Sequence, residues 1–288
     1  MEAAKALKNI LLILNMIKVE HTLFGLPMAL SGMLLAQRGL PDIATVSLIA
    51  LGFASLRAAA MTFNRIVDRH IDRLNPRTMY RELPSGKLGL PTAYLFFLIT
   101  SVLFFFSAYK LNPLCLKLSP LAYILLMGYS FTKRFTYLSH YILGLCLGLS
   151  PLAGYIGVSP SISLDVVFLS LFVIFWVSGF DIIYACQDME FDRTHNLFSI
   201  AGRFGLKNSL YIARASHAIS FVMLIIAGIS GNMSKAYFFS LILPFSLLVS
   251  EHVILYKYGL LKINIAFFHI NSSVSIAVLI SIIAGLIG

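Results

Sequence analysis

Nine times along this chain about 20 residues or more pass with almost no charge, at roughly 10–36, 42–67, 89–109, 113–132, 138–157, 164–187, 208–230, 235–256 and 263–287. About 20 helical residues suffice to cross the hydrocarbon core of a bilayer. Lipid offers backbone amides no hydrogen-bond partner, so only helices and closed barrels can span it. The runs are continuous rather than alternating, which selects helices. We therefore expect an all-α, polytopic membrane protein with nine transmembrane helices, its 288 residues forming one integral membrane domain. With 59% hydrophobic and 12% charged residues, the chain has about half the charged share of an ordinary domain.

The net charge of +10 does not call for a nucleic acid. The basic residues are scattered among connections between apolar runs, where anionic headgroups and the positive-inside bias account for them. With the N-terminus inside, one set of connections holds Arg69, Arg73, Arg77, Arg81, Lys87, Lys133, Arg134, Arg193, Arg203, Lys207, Lys257 and Lys262; the other holds Arg38, Lys110, Lys117 and Lys235. The first set is expected on the cytoplasmic face of the inner membrane. Cys115, Cys146 and Cys186 lie far apart in apolar surroundings and read as small core residues. Lys5 and Lys8 before "ILLILNMI" resemble a signal peptide. Lys18, Glu20 and His21 follow without a small-residue cleavage site, so the segment reads as part of a retained first helix.

Against this scarcity of charge, "NRIVDRHID" sets Asn64, Asp68 and Asp72 at intervals of four. "YACQDMEFD" repeats the spacing with Tyr184, Asp188 and Asp192. Steps of four and seven stay on one helical face. Arg57, Asn64, Asp68 and Asp72 therefore form one stripe, and Asp181, Tyr184, Asp188 and Asp192 a second. Each stripe closes an even-numbered span on the same membrane side, ahead of a long polar loop. Clustered carboxylates repel and need a cation. Arginines are one solution. Mg²⁺ is the other, since it takes oxygen ligands and bridges one or two carboxylates to substrate phosphates. Arg69, Arg73, Arg77, Arg81, Lys133 and Arg193 flank the rows and are placed to neutralise a diphosphate. Ionisable residues in a membrane are rare and point to function.

Both rows resemble the Asp-rich signatures of the UbiA-type intramembrane aromatic prenyltransferases, N-x-x-x-D-x-x-x-D and D-x-x-x-D. The resemblance extends to "LRAAAMTFNRIVDR", "NPRTMYRELPSGKL", "YSFTKRFTYLSH" and "GFDIIYACQDMEFDR", and so covers most of the chain. A common family form has Asp directly after the Asn, where this chain has Arg65. The resemblance implies a bundle of nine helices around a central cavity that opens laterally to lipid. It implies joining of a polyprenyl diphosphate to an aromatic acid, with Asn64, Asp68, Asp72, Asp188 and Asp192 as ligands of Mg²⁺. Asp68 and Asp188 would carry catalysis. Arg69, Arg73 and Arg77 would serve the diphosphate, and Tyr184 would bind substrate. Arg57 is the first choice for an acceptor carboxylate; a structural ion pair with Asp181 is the alternative. Lys133 and Arg134 match a basic pair of the hydroxybenzoate branch. Asp181 would help deprotonate the acceptor or orient Arg57.

The expected reaction is therefore prenylation of 4-hydroxybenzoate in ubiquinone-type quinone synthesis, with a dihydroxynaphthoate for menaquinone as the rival acceptor. A secondary transporter would place its charges near the midplane on broken helices, whereas these rows sit at the rim. No obligate protein partner is evident. His21, His140, His217, His252 and His269 have no partner at ligand spacing and read as structural. Gly144 and Gly148 form a small-xxx-small face for close helix packing.

Overall fold

The computed structural model describes residues 2–39, 41–263 and 266–288. The side chains of residues 2–8, 23, 261, 262, 266 and 267 lie outside that description, and with them those of Lys5, Lys8 and Lys262. The α-helices among these residues are, in order, α1 (Glu2–Met16), α2 (Thr22–Gln37), α3 (Ile43–Leu74), α4 (Leu90–Leu111), α5 (Pro113–Tyr129), α6 (Ser139–Ile156), α7 (Leu164–Ala185), α8 (Met189–Thr194), α9 (Ile200–Ser230), α10 (Lys235–Ser240), α11 (Ile242–Tyr258) and α12 (Asn271–Ile287). Among the described residues there is no strand. The architecture is all-α and polytopic, as the apolar runs require.

Local chemistry sets several of the helix starts. Asp42 caps α3 through Thr45 N–H at 2.9 Å, and Asn112 caps α5 through Cys115 N–H at 2.9 Å. Such caps satisfy amides that have no partner within the helix. Pro91 and Pro113 stand in the first turns of α4 and α5, where a missing N–H costs little.

Among the described residues, eight segments are long and apolar enough to cross a bilayer. The run expected over 113–132 is instead α5, a helix of 17 residues, which rises about 25 Å against a core of about 30 Å. The run expected over 263–287 crosses residues 264 and 265, which lie outside the described residues.

Three of the expected spans are interrupted among the described residues; that over 235–256 breaks at Leu241, between α10 and α11. The first, over 10–36, breaks between α1 and α2, where Lys18 takes a left-handed conformation at φ 50° and a 3₁₀ turn covers Val19–His21. Glu20 and His21 therefore sit in a turn rather than within a helix. The sixth, over 164–187, ends as α-helix at Ala185 and passes through a 3₁₀ turn, Cys186–Asp188, into α8. Conversely, α3 runs on to Leu74. Its 32 residues span about 48 Å, so its acidic end projects beyond the apolar stretch.

α7 forms the centre of the bundle, packed against α6 and α9, while α2 bridges α6 and α12. Phe172, Trp176 and Val177 are fully buried there, and Trp176 Nε1 donates to Asn271 Oδ1 at 2.8 Å. Gly144 lies against the Ile174 carbonyl and Gly148 against the Ser170 carbonyl and Ile174 side chain. The small residues thus let α6 approach α7 closely.

Candidate functional site

Both acidic rows open onto one cavity of about 180 Å³. Its walls include Asn64, Asp68 and Asp72 from α3, and Asp181, Tyr184, Asp188 and Asp192 from α7 and the turns after it. Lys133 and Arg134 enter from the connection after α5; Asn75, Arg77 and Arg81 enter from the loop after α3.

The carboxylates are held by arginines from other segments. Arg77 grips Asp188 with Nε on Oδ1 at 2.8 Å and Nη2 on Oδ2. Its Nη1 donates to the Tyr184 hydroxyl at 3.0 Å, and its guanidinium lies 5.1 Å from the Tyr184 ring centroid. Asn75 Nδ2 donates to Asp188 Oδ1 at 3.0 Å, and the Asn75 side-chain carbonyl accepts from Arg77 N–H at 2.9 Å. Arg81 Nη1 bridges both oxygens of Asp72 at 2.8 and 2.9 Å. Arg134 Nη2 donates to Asp68 Oδ1 at 3.1 Å, and Asn64 Nδ2 to Asp68 Oδ2 at 2.9 Å. Burial lowers the Arg77 pKa, but the Asp188 carboxylate outweighs it and holds the guanidinium above its ordinary value. Lys133 pairs with no carboxylate among the described residues.

Among the described residues, no three acidic, histidine or cysteine side chains converge on a point that would hold an ion. Each of Asp68, Asp72 and Asp188 is instead drawn to its own arginine. The donor chemistry still fits a hard cation: Asn64, Asp68, Asp72, Asp188 and Asp192 present oxygens alone, as Mg²⁺ requires. Asp192 is buried, and its Oδ2 has no hydrogen-bond partner. A buried oxygen without a donor costs about 1–3 kcal/mol, and a cation would satisfy it.

Three expected substrate-binding residues stand away from the cavity lining. Arg57 Nη1 donates to the Ile17 carbonyl and Nη2 to the Lys18 carbonyl, both at 3.1 Å. Arg69 Nε lies 3.0 Å from His70 Nε2, and Arg73 is exposed. Asp181 is engaged by His140, Nδ1 to Oδ2 at 2.6 Å, rather than by Arg57.

Sequence reading missed Arg65, Asn75 and His140. Arg65 is buried, lines the cavity and donates from Nε to the Met16 carbonyl at 3.3 Å. His217 and His252, read as solitary, lie 3.0 Å apart, Nδ1 to Nε2. The one local signal was the "NP" dipeptide at Asn75, which marks a turn.

The sequence matches the model of the UbiA prenyltransferase family over residues 25–273. A 4-hydroxybenzoate octaprenyltransferase of Yersinia pseudotuberculosis is 31% identical over 75% of this chain and 75% of that protein. One from Vibrio atlanticus is 29% identical over 80% and 81%. The apo structure of a UbiA homolog from Aeropyrum pernix K1 superposes with a TM-score of 0.83 at 32% identity, covering 92% of this chain and 98% of that one. A UbiA homolog from Archaeoglobus fulgidus bound to GPP and Mg²⁺ shares the fold, with a TM-score of 0.72 at 20% identity over 95% and 98%.

Proposed function

We propose, because this chain belongs to the UbiA prenyltransferase family, that it transfers a polyprenyl group from a polyprenyl diphosphate to the ring of 4-hydroxybenzoate. The observation that carries the reading is the meeting of both acidic rows on one cavity. The acceptor is supported by relatives that bear the name 4-hydroxybenzoate octaprenyltransferase. We place the cavity mouth on the cytoplasmic face of the inner membrane, where the basic connections would lie under the positive-inside bias. The whole chain, 1–288, would act as one catalytic unit.

Asn64, Asp68, Asp72, Asp188 and Asp192 would hold Mg²⁺, which supplies Lewis-acid stabilisation of charge on the departing diphosphate. The protein's own cations do the rest of that work. Arg77, Arg81 and Arg134 surround the cavity already charged, and Lys133, close enough to act on Asp68, Asp188 and Asp192, adds a fourth cation without an ion pair to break. Donors fixed in place before reaction stabilise developing charge without reorganisation. The apolar bundle beyond the rim keeps water from the allylic cation left behind. The ring attacks that cation, and Asp181, lining the cavity deeper along α7, is placed to receive the ring proton.

The test offers membranes a radiolabelled prenyl diphosphate with 4-hydroxybenzoate or 1,4-dihydroxy-6-naphthoate in parallel. Label should enter lipid-soluble 4-hydroxybenzoate product, stop on chelation by EDTA, and be lost in Asp68→Ala and Asp188→Ala while both variants remain in the membrane. Label in the naphthoate alone would replace the acceptor. Undiminished turnover in both variants would overturn the site.

A further inference from the structure

We propose that His140 is a positioning residue, holding Asp181 as the proton acceptor of ring substitution; this rests on reading the chain as an aromatic-ring prenyltransferase. His140 stands in the first turn of α6 and is fully buried. Its two ring nitrogens meet different partners. Nδ1 lies 2.6 Å from Asp181 Oδ2. Nε2 lies 3.4 Å from the backbone N–H of Ile200.

That second contact assigns the tautomer. A backbone N–H can only donate, so Nε2 accepts and carries no proton. A neutral imidazole then has its proton on Nδ1, and Nδ1–H donates to Asp181. Ile200 opens α9, and amides in a helix's first turn have no partner within the helix. The start of α9 therefore keeps the imidazole in the orientation that serves Asp181.

Asp181 differs in its partner from the carboxylates of the two acidic rows, of which only Asp192 has no arginine among the described residues. Asp68, Asp72 and Asp188 each face a guanidinium. Such pairing commits these oxygens to a cation. Asp181 is held by imidazole instead, and no described residue engages its Oδ1. Its side chain is 16% exposed and lines the cavity. The seven residues from Asp181 to Asp188 place it about 10 Å deeper along the chain's helical path. Passing inward from the rim, that depth accommodates the diphosphate, the allylic carbon and then the acceptor ring.

The allylic carbon bonds to the ring carbon beside the hydroxyl, and the C–O bond to diphosphate breaks with its electron pair leaving on oxygen. The ring C–H bond then breaks, its pair returns to the ring, and the proton passes to Asp181. His140 neither gains nor loses a proton. Its part is to fix which oxygen faces the ring.

The experiment uses the full chain in membranes with geranyl diphosphate and either 4-hydroxybenzoate or its ring-deuterated form. His140→Leu should lower kcat about 10- to 100-fold, the range seen when a partner that orients a functional side chain is lost, while the KM for geranyl diphosphate stays within about twofold. A primary deuterium isotope effect near 1 in the wild type should rise to about 2 or more once proton removal limits the rate. His140→Gln offers both a donor and an acceptor and should recover most of the turnover. Should the leucine variant fail to fold, Asp181→Asn gives an independent readout, with the same isotope effect expected. Wild-type turnover in His140→Leu, a fall without an isotope effect, or glutamine no better than leucine would each overturn the proposal, as would Asp181→Asn without an isotope effect. A wild type that prenylates no aromatic ring would instead sink the functional reading beneath it.

Discussion

At Asp188, Arg77 and Asn75 reach one carboxylate from the loop after α3, although both stand more than a hundred residues away in sequence. Arg73, in the last turn of α3 and four residues before Arg77, is exposed and outside the cavity. The two arginines therefore separate charge that serves the site from charge that only faces a surface. Arg77→Ala should lower kcat/KM about a hundredfold, the scale for losing one fixed donor to developing charge. Arg73→Ala should leave it within about twofold, as for other surface substitutions. Arg77→Lys should recover little, because an ammonium cannot make the two-pronged contact with Asp188. Steady-state rates with prenyl diphosphate varied would check this, and equal losses at both positions would remove the distinction. The acidic rows themselves were legible because their spacing is local and charge stands out in an apolar run. Their partners were not. Nothing in the neighbourhood of Arg65, Asn75 or His140 announces Met16, Asp188 or Asp181, since those contacts exist only once helices far apart in sequence have packed.

The interruption between α1 and α2 shows how an element boundary arises from tertiary contact. The carbonyls of Met16, Ile17 and Lys18 accept from Arg65 and Arg57, eight residues apart on α3. Cations are favoured at a helix C-terminus, where carbonyls lack partners and the dipole is negative. A continuous helix over 10–36 would satisfy those carbonyls within itself and take these acceptors from both arginines. The sequence of 10–36 contains no proline or glycine at the break, so its hydropathy reads as unbroken. Arg57→Ala should therefore weaken the fold by about 1.5–3 kcal/mol, the range for hydrogen bonds that involve a charged group, and shift the KM values of donor and acceptor together. Thermal unfolding in detergent beside both KM values would measure it. A selective rise in the acceptor KM would return Arg57 to acceptor binding.

On the scale of the whole molecule, the connections sort to two ends. Arg134–Asp68, Arg77–Asp188 and the bond from Phe198 N–H to the Lys133 carbonyl tie the ends of α3 and α5 to the segment after α7. Arg38 and Asp165, 3.1 Å apart, tie the connection after α2 to the start of α7, at the opposite end of that helix from Asp188. The segregation of basic residues read from the sequence thus meets a physical polarity in the bundle, with the cavity at the basic end. The apolar runs made that legible: crossing helices alternate direction, so charge on successive connections alternates with them. Labelling gives the direct check. In a Cys115→Ser background, Ser85→Cys at the exposed loop after α3 should react with a membrane-impermeant maleimide only after intact cells are opened. Ser161→Cys, exposed before α7, should react in intact cells; Cys146 and Cys186 are buried and contribute little background. The reverse pattern would invert the protein in its membrane and put the cavity on the face away from cytoplasmic prenyl diphosphate. That outcome would force a different source of donor while leaving the chemistry of the two acidic rows unchanged.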